Sequence, residues 1–344
     1  MKRIVKIFLI SFYILSCQKE DELTVFETNQ PLIGNCKVLP QKGTEKNNKP
    51  DEDIFNLENM KTVTIPVYFH ILYNSKIPQI TSSDIRAQMD ALNKAFSGKD
   101  HGGSPLINVI FNSVKTKDTK IRFVLEEAEA KHTNQKIWSF WNDFKKYPNP
   151  RKKSEGGLDP VNPWKNLNIW VIDGLIVVDE NDVLPTSSIN LGLSSNPIDA
   201  GAEWDGIAIN SVTFPETNRG IRAFLNPISG KIKTMKDQKG KNLVHEVGHY
   251  LGLHHLIGKE EMPCGDDFVA DTPPAEKLHK GTFKLPFKET CNGKSNYQMV
   301  VNYMDYSDES MLYIFTKGQT ERMWRQSFWG KNAERKLMAA TLPK

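Results

Sequence analysis

Several features that would assign a sequence to a class are missing from this 344-residue chain. It has no internal repeats and no low-complexity tract, so nothing suggests a repeat or fibrous architecture. Its net charge is only +4 and no nucleic-acid-binding motif is present, although the stretch 131–165 is both aromatic and basic. We therefore interpret that stretch as a solvated loop and expect no nucleic-acid partner. The N-terminal apolar run, Ile4 to Leu15, is broken only by Lys6 and Ser11 and is too short to cross a bilayer.

The strongest chemical signal is the sequence HEVGHYLGLHH at 245–255, which fits the pattern H-E-x-x-H-x-x-G-x-x-H. Residues four apart lie on one face of a helix, so His245 and His249 can converge on one ion. Gly252 permits a left-handed turn that returns His255 to that ion as a third ligand. Three imidazoles leave one position open for water, as in catalytic zinc sites, and Glu246 can accept the proton of that water.

Two alternatives explain the pattern less well. A histidine-rich buried helix without metal would not need all five fixed positions of the pattern. A thermolysin-like enzyme would take a carboxylate as third ligand from farther downstream and would lack the G-x-x-H extension. The sequence therefore predicts a zinc hydrolase.

The chain resembles the pappalysin (cytophagalysin-like) family of metzincin proteases. The similarity covers roughly residues 62 to 325 and is more specific in the second half. The segments that carry it are IPVYFHILYNS at 65–75, LNIWVI at 167–172, HEVGHYLGLHH at 245–255, CGD at 264–266, VADTP at 269–273, NYMDYSD at 302–308 and FTKGQ at 315–319.

The resemblance implies an α+β fold of the metzincin type: a twisted mixed sheet of five strands, an active-site helix, and a smaller irregular C-terminal lobe. Residue patterns agree, since β-branched and aromatic residues fill Thr62 to Tyr73. Further strands are predicted at 121–125, 167–172, 190–197 and 205–210. A helix is predicted from Thr81, with its apolar residues on one face. We expect 190–197 to be an unpaired edge that takes an extended substrate by strand addition.

The resemblance also implies several site residues. Met304 would lie in a turn under the zinc, and the Tyr306 hydroxyl would hydrogen-bond the oxyanion. Cys264 and Cys291 would form a disulfide, which an exported protein permits. The family's second bridge would reach Met311, so we expect that bridge to be absent and the loop near it to be looser.

A structural calcium ion is a further expectation from the resemblance. The oxygen ligands that calcium prefers would come from four residues of one loop, Asp266, Asp267, Asp271 and Thr272. The alternative is an Asx-rich loop whose carboxylates serve as caps.

The N-terminus predicts export. Residues 1–16 have the pattern of a signal peptide, and the end of the apolar run, Ile14-Leu15-Ser16-Cys17, resembles a bacterial lipobox. Cys17 would then carry a lipid that anchors the protein at the outer membrane, on the cell surface. An ordinary signal peptide with an incidental cysteine is the alternative. The acidic run after Cys17 resembles a surface-export tag, although a solvated charge run would look the same.

Residues 17–61 have too few apolar positions to fold alone, and we interpret them as a tether or pro-segment ahead of a catalytic domain at 62–344. That domain would divide into lobes at 62–255 and 256–344. Cys36 is left over after lipidation and disulfide formation. A thiolate is a good zinc ligand, so Cys36 could act as a cysteine switch that keeps the enzyme latent. A solvent-exposed or intermolecularly paired thiol is the alternative.

We therefore predict a monomeric, exported zinc metalloendopeptidase that cleaves proteins or peptides outside the cell. The family suggests a basic residue just after the scissile bond, and Asp305, Asp308 and Glu309 follow the methionine turn where that pocket should lie. A surface adhesion or binding lipoprotein on a zincin scaffold is the alternative, but such a protein would not need Glu246.

Overall fold

The computed structural model describes residues 35–38, 55–75, 80–100, 104–139, 147–172, 190–215, 222–225, 232–235, 238–258 and 262–339. The predicted signal peptide and Cys17 lie outside these residues. The strands are β1 Asn35–Val38, β2 Val63–Tyr73, β3 Ile121–His132, β4 Leu167–Ile172, β5 Asn190–Ser194, β6 Ile207–Asn210, β7 Arg222–Leu225, β8 Ile232–Met235, β9 Lys288–Cys291 and β10 Lys294–Tyr297. The helices are α1 Ser82–Phe96, α2 Leu106–Ile110, α3 Lys241–Tyr250, α4 Lys317–Ser327 and α5 Lys336–Ala339.

The main sheet has the strand order β1-β5-β6-β4-β2-β3. All neighbours are parallel except β5 and β6. Strands β2 to β6 are the five that the sequence predicted, and β3 runs longer than expected. Every residue of β4 is buried, as a central parallel strand covered on both faces requires. The predicted mixed five-stranded sheet is therefore confirmed.

A sixth strand, β1, was not predicted. It pairs in parallel with β5 and places Cys36 opposite Gly192. In this structure β5 is therefore not the unpaired edge that the sequence suggested, because a segment from upstream of the predicted catalytic domain lies along it.

Helices α1 and α3 contact each other, and their apolar residues share one core with the sheet. Helix α1 begins with a capping box, in which Thr81 and Asp84 each accept a backbone N–H of the other. The apolar face predicted for this helix is buried: Ile85, Met89, Leu92 and Phe96.

The interpretation of 131–165 as a solvated loop holds only for part of its described residues: Lys136, Lys153 and Trp164 are exposed, but other residues of the stretch are buried. The Trp138 side chain is 1% exposed and packs in a second apolar cluster with Trp170. Arg151 is also buried and donates to the carbonyl of Trp204 at 2.7 Å. These residues form a packed cover beside the sheet. Residues 140–146 lie outside the described part.

The C-terminal lobe is held partly by covalent bonding. The predicted disulfide between Cys264 and Cys291 is present, and it joins the loop after α3 to the hairpin β9–β10. Helix α4 begins with a second capping box, made by Thr316 and Gln319.

Within the described ranges, no helix has the length and apolarity needed to cross a membrane.

Candidate active site

Helix α3 begins without a side-chain cap of its own. Its N-cap is Gly240, with φ of +74°, and the first-turn amides have no acceptor within the helix and need partners from elsewhere. Glu309, 67 residues downstream of Asn242, supplies them: its Oε1 accepts the N–H of Asn242 at 2.8 Å and its Oε2 accepts that of Lys239 at 2.6 Å. A carboxylate at a helix N-terminus is also favoured by the helix dipole. The start of the active-site helix is therefore fixed from the C-terminal lobe.

The three predicted ligands converge. The Nε2 atoms of His245 and His249 are 3.0 Å apart, those of His249 and His255 are 2.9 Å apart, and those of His255 and His245 are 3.2 Å apart. Nδ1 of His245 donates to the carbonyl of Tyr303 at 2.6 Å, and Nδ1 of His249 donates to that of Leu253 at 2.8 Å. These bonds fix the tautomer, so that each Nε2 presents a lone pair to the shared space.

The electrostatic setting keeps His245 and His249 neutral. Burial, together with the neighbouring His255, lowers the pKa of His245 to about 3. The same causes lower the pKa of His249 well below its ordinary value. Neutral imidazole is the form that binds a metal.

The triangle of nitrogens fits zinc. Bonds of about 2.0–2.1 Å in tetrahedral geometry put ligand nitrogens roughly 3.3 Å apart, close to the separations found here. Within the part of the chain that the structure describes, these three histidines are the one group of His, Cys, Asp and Glu side chains arranged to hold a metal ion.

The turn that carries His255 requires glycine for two reasons. Gly252 has φ of +102°, in the left-handed region that the sequence predicted. A Cβ at this position would also lie 2.8 Å from Cβ of Gln326 and 3.3 Å from the ring of Pro197. The turn is therefore packed from both sides.

The methionine turn lies under the histidines, as predicted. Met304 is fully buried, and its sulfur would be 2.4 Å from a Cβ at Gly248, so the helix needs a glycine above it. The turn is shaped by Asn302, whose Oδ1 accepts the N–H of Met304 at 2.9 Å and whose amide pairs twice with Gln319.

The two predicted catalytic side chains flank the metal-binding histidines. Glu246 is 1% exposed, and its carboxylate lies against Gly192 of β5, where a Cβ would come within 2.3 Å of its Oε1. The Tyr306 hydroxyl lies 3.4 Å from Nδ1 of His255, and the two ring centroids are 4.5 Å apart. The structure therefore brings both side chains to the site.

A small pocket opens between the start of α3 and the segment after the methionine turn, and Asp305, Glu309 and Lys241 are among its lining residues. Sequence reasoning missed Lys241. Its buried ammonium donates to the carbonyl of Leu312 and pairs with Asp100 at 2.9 Å. No local pattern could have indicated these contacts, because both partners are distant in sequence.

The three acids predicted to favour a basic residue differ in their surroundings. Asp305 and Glu309 line this pocket, whereas Asp308 is not among its lining residues. Glu309 is committed to the helix start, and the Asp305 carboxylate contacts His279 and Ser307. Asp308 is 1% exposed, and neither of its carboxylate oxygens has a hydrogen-bond partner among the described residues. Burial raises the pKa of Asp308 to about 6.

The four residues proposed for calcium do not form a shared ligand set. Asp267 accepts the Thr272 hydroxyl, at 2.7 Å to Oδ2, and Asp266 accepts the N–H of Phe268. Asp271 binds the N-terminus of α4 through the hydroxyl of Thr316 and the N–H of Gly318, at 2.6 and 2.9 Å. The loop carboxylates thus act as caps within the protein, as the Asx-rich alternative describes, and calcium stays a prediction.

A helix that supplies two histidines and a turn that supplies the third occur above a methionine turn in metzincin zinc metalloproteases. The fold and the site assign the chain to this class. A family model described as pregnancy-associated plasma protein-A, in the M43 peptidases, matches residues 224–327.

An extracellular metalloprotease of Verticillium alfalfae is 36% identical over 282 residues, which are 80% of this chain and 78% of that protein. One of Arthroderma benhamiae is 28% identical over 90% of each chain. Mature mirolysin of Tannerella forsythia, solved with a cleaved peptide, is 26% identical with a TM-score of 0.63, over 81% of this chain and 96% of that one. The chain belongs to the pappalysin family of metzincin metalloproteases.

One prediction concerns His279, which bridges Asp305 at 2.7 Å and Glu289 at 3.1 Å beside the methionine turn. Burial alone would lower the pKa of His279, but the bonds and charges of the two carboxylates outweigh it and raise the pKa above its ordinary value. A raised pKa means that the charged form stabilises the fold below the unfolded pKa of about 6.5, and that this stabilisation is lost as pH rises through the folded value.

We therefore expect His279→Gln to lower the free energy of unfolding most near pH 5.5 and least near pH 9. Chemical denaturation at both pH values measures this. The matched change His132→Gln, on the edge strand β3, serves as the control for loss of a histidine. A constant loss for His279→Gln at all pH values would contradict the prediction.

Proposed function

We propose that this protein is an exported zinc endopeptidase that uses Glu246 as its general base. The single observation that carries the proposal is the convergence of three imidazole nitrogens within 3.2 Å of one another, with Glu246 beside them against β5. The relatives named as extracellular metalloproteases support export.

In this mechanism His245, His249 and His255 hold the zinc ion. Zinc bound there supplies Lewis acidity, which makes a water molecule more acidic and polarises a carbonyl group. Glu246 accepts a proton as water attacks the peptide carbonyl, and it then delivers that proton to the leaving amine. The Tyr306 hydroxyl moves from its place beside His255 and donates a hydrogen bond to the carbonyl oxygen as negative charge develops.

Strand β5 supports an orientation for the substrate. An extended peptide paired with this strand would bring a carbonyl to Glu246, because Gly192 has no side chain to separate the strand from that carboxylate. The adhesion or binding alternative makes no use of this arrangement. Attachment of the protein to the outer membrane through a lipid on Cys17 belongs to the same proposal.

The first test replaces the general base. We expect Glu246→Ala to keep its zinc, because all three histidines remain, and to lose about 100- to 10,000-fold in kcat, the usual contribution of a positioned base. Zinc content by atomic absorption and cleavage of a casein substrate measure the two effects. Near wild-type turnover in Glu246→Ala would falsify the mechanism, and a zinc chelator serves as the control for metal dependence.

Specificity for a basic residue after the scissile bond is the second element of the proposal. We assign it to Asp308, which is outside the pocket lining but lies between the lining residues Tyr306 and Glu309 in the chain, because Asp305 and Glu309 already bind protein groups. A charged hydrogen bond of about 1.5–3 kcal/mol would give roughly 10- to 100-fold preference for arginine over an apolar residue.

A peptide library varied at that position measures the preference, and we expect Asp308→Asn to reduce it. The exposed loop residue Asp266 offers a matched control, Asp266→Asn. Selection of large apolar residues by the wild-type protein would rule out this specificity.

Latency through Cys36 is the third element. It is supported by β1, which lies along the strand that we assign to the substrate. The register puts Cys36 opposite Gly192, the residue against which the Glu246 carboxylate lies. A peptide segment in that position would exclude the substrate, and a thiolate there is a candidate for the open zinc position.

We expect the full chain to be the least active form, Cys36→Ala to be more active, and a chain starting near residue 60 to be the most active. Hydrolysis of one fluorogenic peptide compares the three. The lysine that follows provides a matched variant, Lys37→Ala, which should remain latent. Equal rates in all forms would remove Cys36 from any role in latency.

A further inference from the structure

The turn between the second and third histidines is held by side chains of the C-terminal lobe. Three consecutive backbone carbonyls, at positions 250 to 252, each accept a hydrogen bond from a different side chain. The donors are Arg335 Nε to the Tyr250 carbonyl at 3.1 Å, Ser327 Oγ to that of Leu251 at 3.3 Å, and Arg322 Nε to that of Gly252 at 2.7 Å.

These bonds give hydrogen-bond donors to the backbone carbonyls at the end of α3. The last carbonyls of a helix have no partner within it, and an unpaired buried carbonyl costs roughly as much as a lost hydrogen bond. Tyr250 and Leu251 are fully buried, so water does not serve them. Arg322 and Ser327 come from α4, and Arg335 from the residue before α5.

Arg335 makes the most extensive of the three contacts. Its side chain is completely buried, forms a bidentate pair with Asp205 at 2.7 and 2.9 Å, and donates to the carbonyl of Asn196 at 2.9 Å. Its guanidinium also lies 3.4 Å from the centre of the Tyr250 ring. One planar cation thus joins the end of α3 to the loop between β5 and β6, with geometry that lysine cannot reproduce.

The β5–β6 loop forms the opposite side of the same support. Asp205 accepts the Ser195 hydroxyl at 2.7 Å and the N–H of Gly201 at 3.0 Å, which fixes the loop. Pro197 of this loop packs toward Gly252. The turn is therefore enclosed between this loop on one side and α4 on the other.

The position of the turn decides the position of two metal-binding side chains. His255 follows it directly. The ring of His249 is oriented by the carbonyl of Leu253, which is the next residue after the three anchored carbonyls. Movement of the turn would therefore displace the nitrogens of both histidines.

We propose that Arg322, Ser327 and Arg335 are positioning residues for the metal, and that they set zinc affinity by anchoring the turn between His249 and His255. The inference rests on the proposed function only in taking zinc as the ion that the histidines hold. Part of the zinc affinity then depends on residues of the C-terminal lobe that lie up to 85 positions downstream of the turn.

The test measures zinc retention in the full chain. The variants are Arg335→Lys, Arg322→Gln and Ser327→Ala, and the control is Arg325→Gln, on the same helix. Arg325 pairs with Glu321 and lies over the Trp329 ring, so it tests for general damage to α4. Transfer of zinc to a chromophoric chelator gives affinity and release rate, and thermal unfolding is recorded with zinc bound and after its removal.

Residues that orient metal ligands typically change affinity by about 10- to 100-fold, so we expect roughly 10-fold weaker zinc binding in the two arginine variants and a smaller loss in Ser327→Ala. The rise in Tm on zinc binding should shrink in all three and stay at the wild-type value in Arg325→Gln. Excess zinc should restore the fraction of loaded protein.

Wild-type zinc release by folded Arg322→Gln and Ser327→Ala would overturn the proposal, even if Arg335→Lys did not fold. Equal losses of Tm in the zinc-bound and zinc-free forms would also overturn it, because that result describes general stability. Failure of the zinc-loaded protein to cleave any peptide would count against the proposed function alone, since the zinc measurements need no substrate.

Discussion

The site depends on keeping the nitrogens of three buried imidazoles close together. Three such groups cannot all be charged there, and burial lowers the pKa of His245 and of His249. Neutrality alone does not direct the lone pairs, however. The carbonyls of Tyr303 and Leu253 do this by accepting the protons on the far side of each ring. One arrangement therefore leaves Nε2 of His245 and of His249 unprotonated. It consists of the methionine turn, the end of α3 and the C-terminal lobe that supports both.

The sequence predicted what depends on local spacing. The i, i+4 histidines, the left-handed Gly252 and the five strands were all correctly placed, because helix and strand periodicity act over a few residues. The disulfide and the methionine turn were expected from family resemblance. What could not be predicted is pairing between distant residues, such as Glu309 with the start of α3 or Arg335 with Asp205, since no local pattern marks either partner.

The contacts that occupy a side chain could not be predicted from the sequence either. Asp271 was expected to bind calcium and binds the start of α4, and Asp305 was expected to face a substrate cation and binds His279. Calcium binding and the preference for a basic residue both stay predictions. The segment around Trp138 looked solvated because its basic residues are conspicuous, whereas its tryptophan is buried. The absent second bridge suggested a looser loop at Met311. In the structure, that segment is tied to α3 through Glu309 and through the ammonium of Lys241 at the carbonyl of Leu312.

Glu309 has two structural roles, and together they limit how the substrate specificity of this protein could change. It lines the pocket beside the active site, and it also accepts two backbone N–H groups at the start of the active-site helix. Replacing it to suit a different substrate side chain would remove the cap and shift the helix that carries His245. A change of substrate preference is therefore expected to proceed through a pocket-lining neighbour such as Leu312, while position 309 remains an acid or changes only together with its helix.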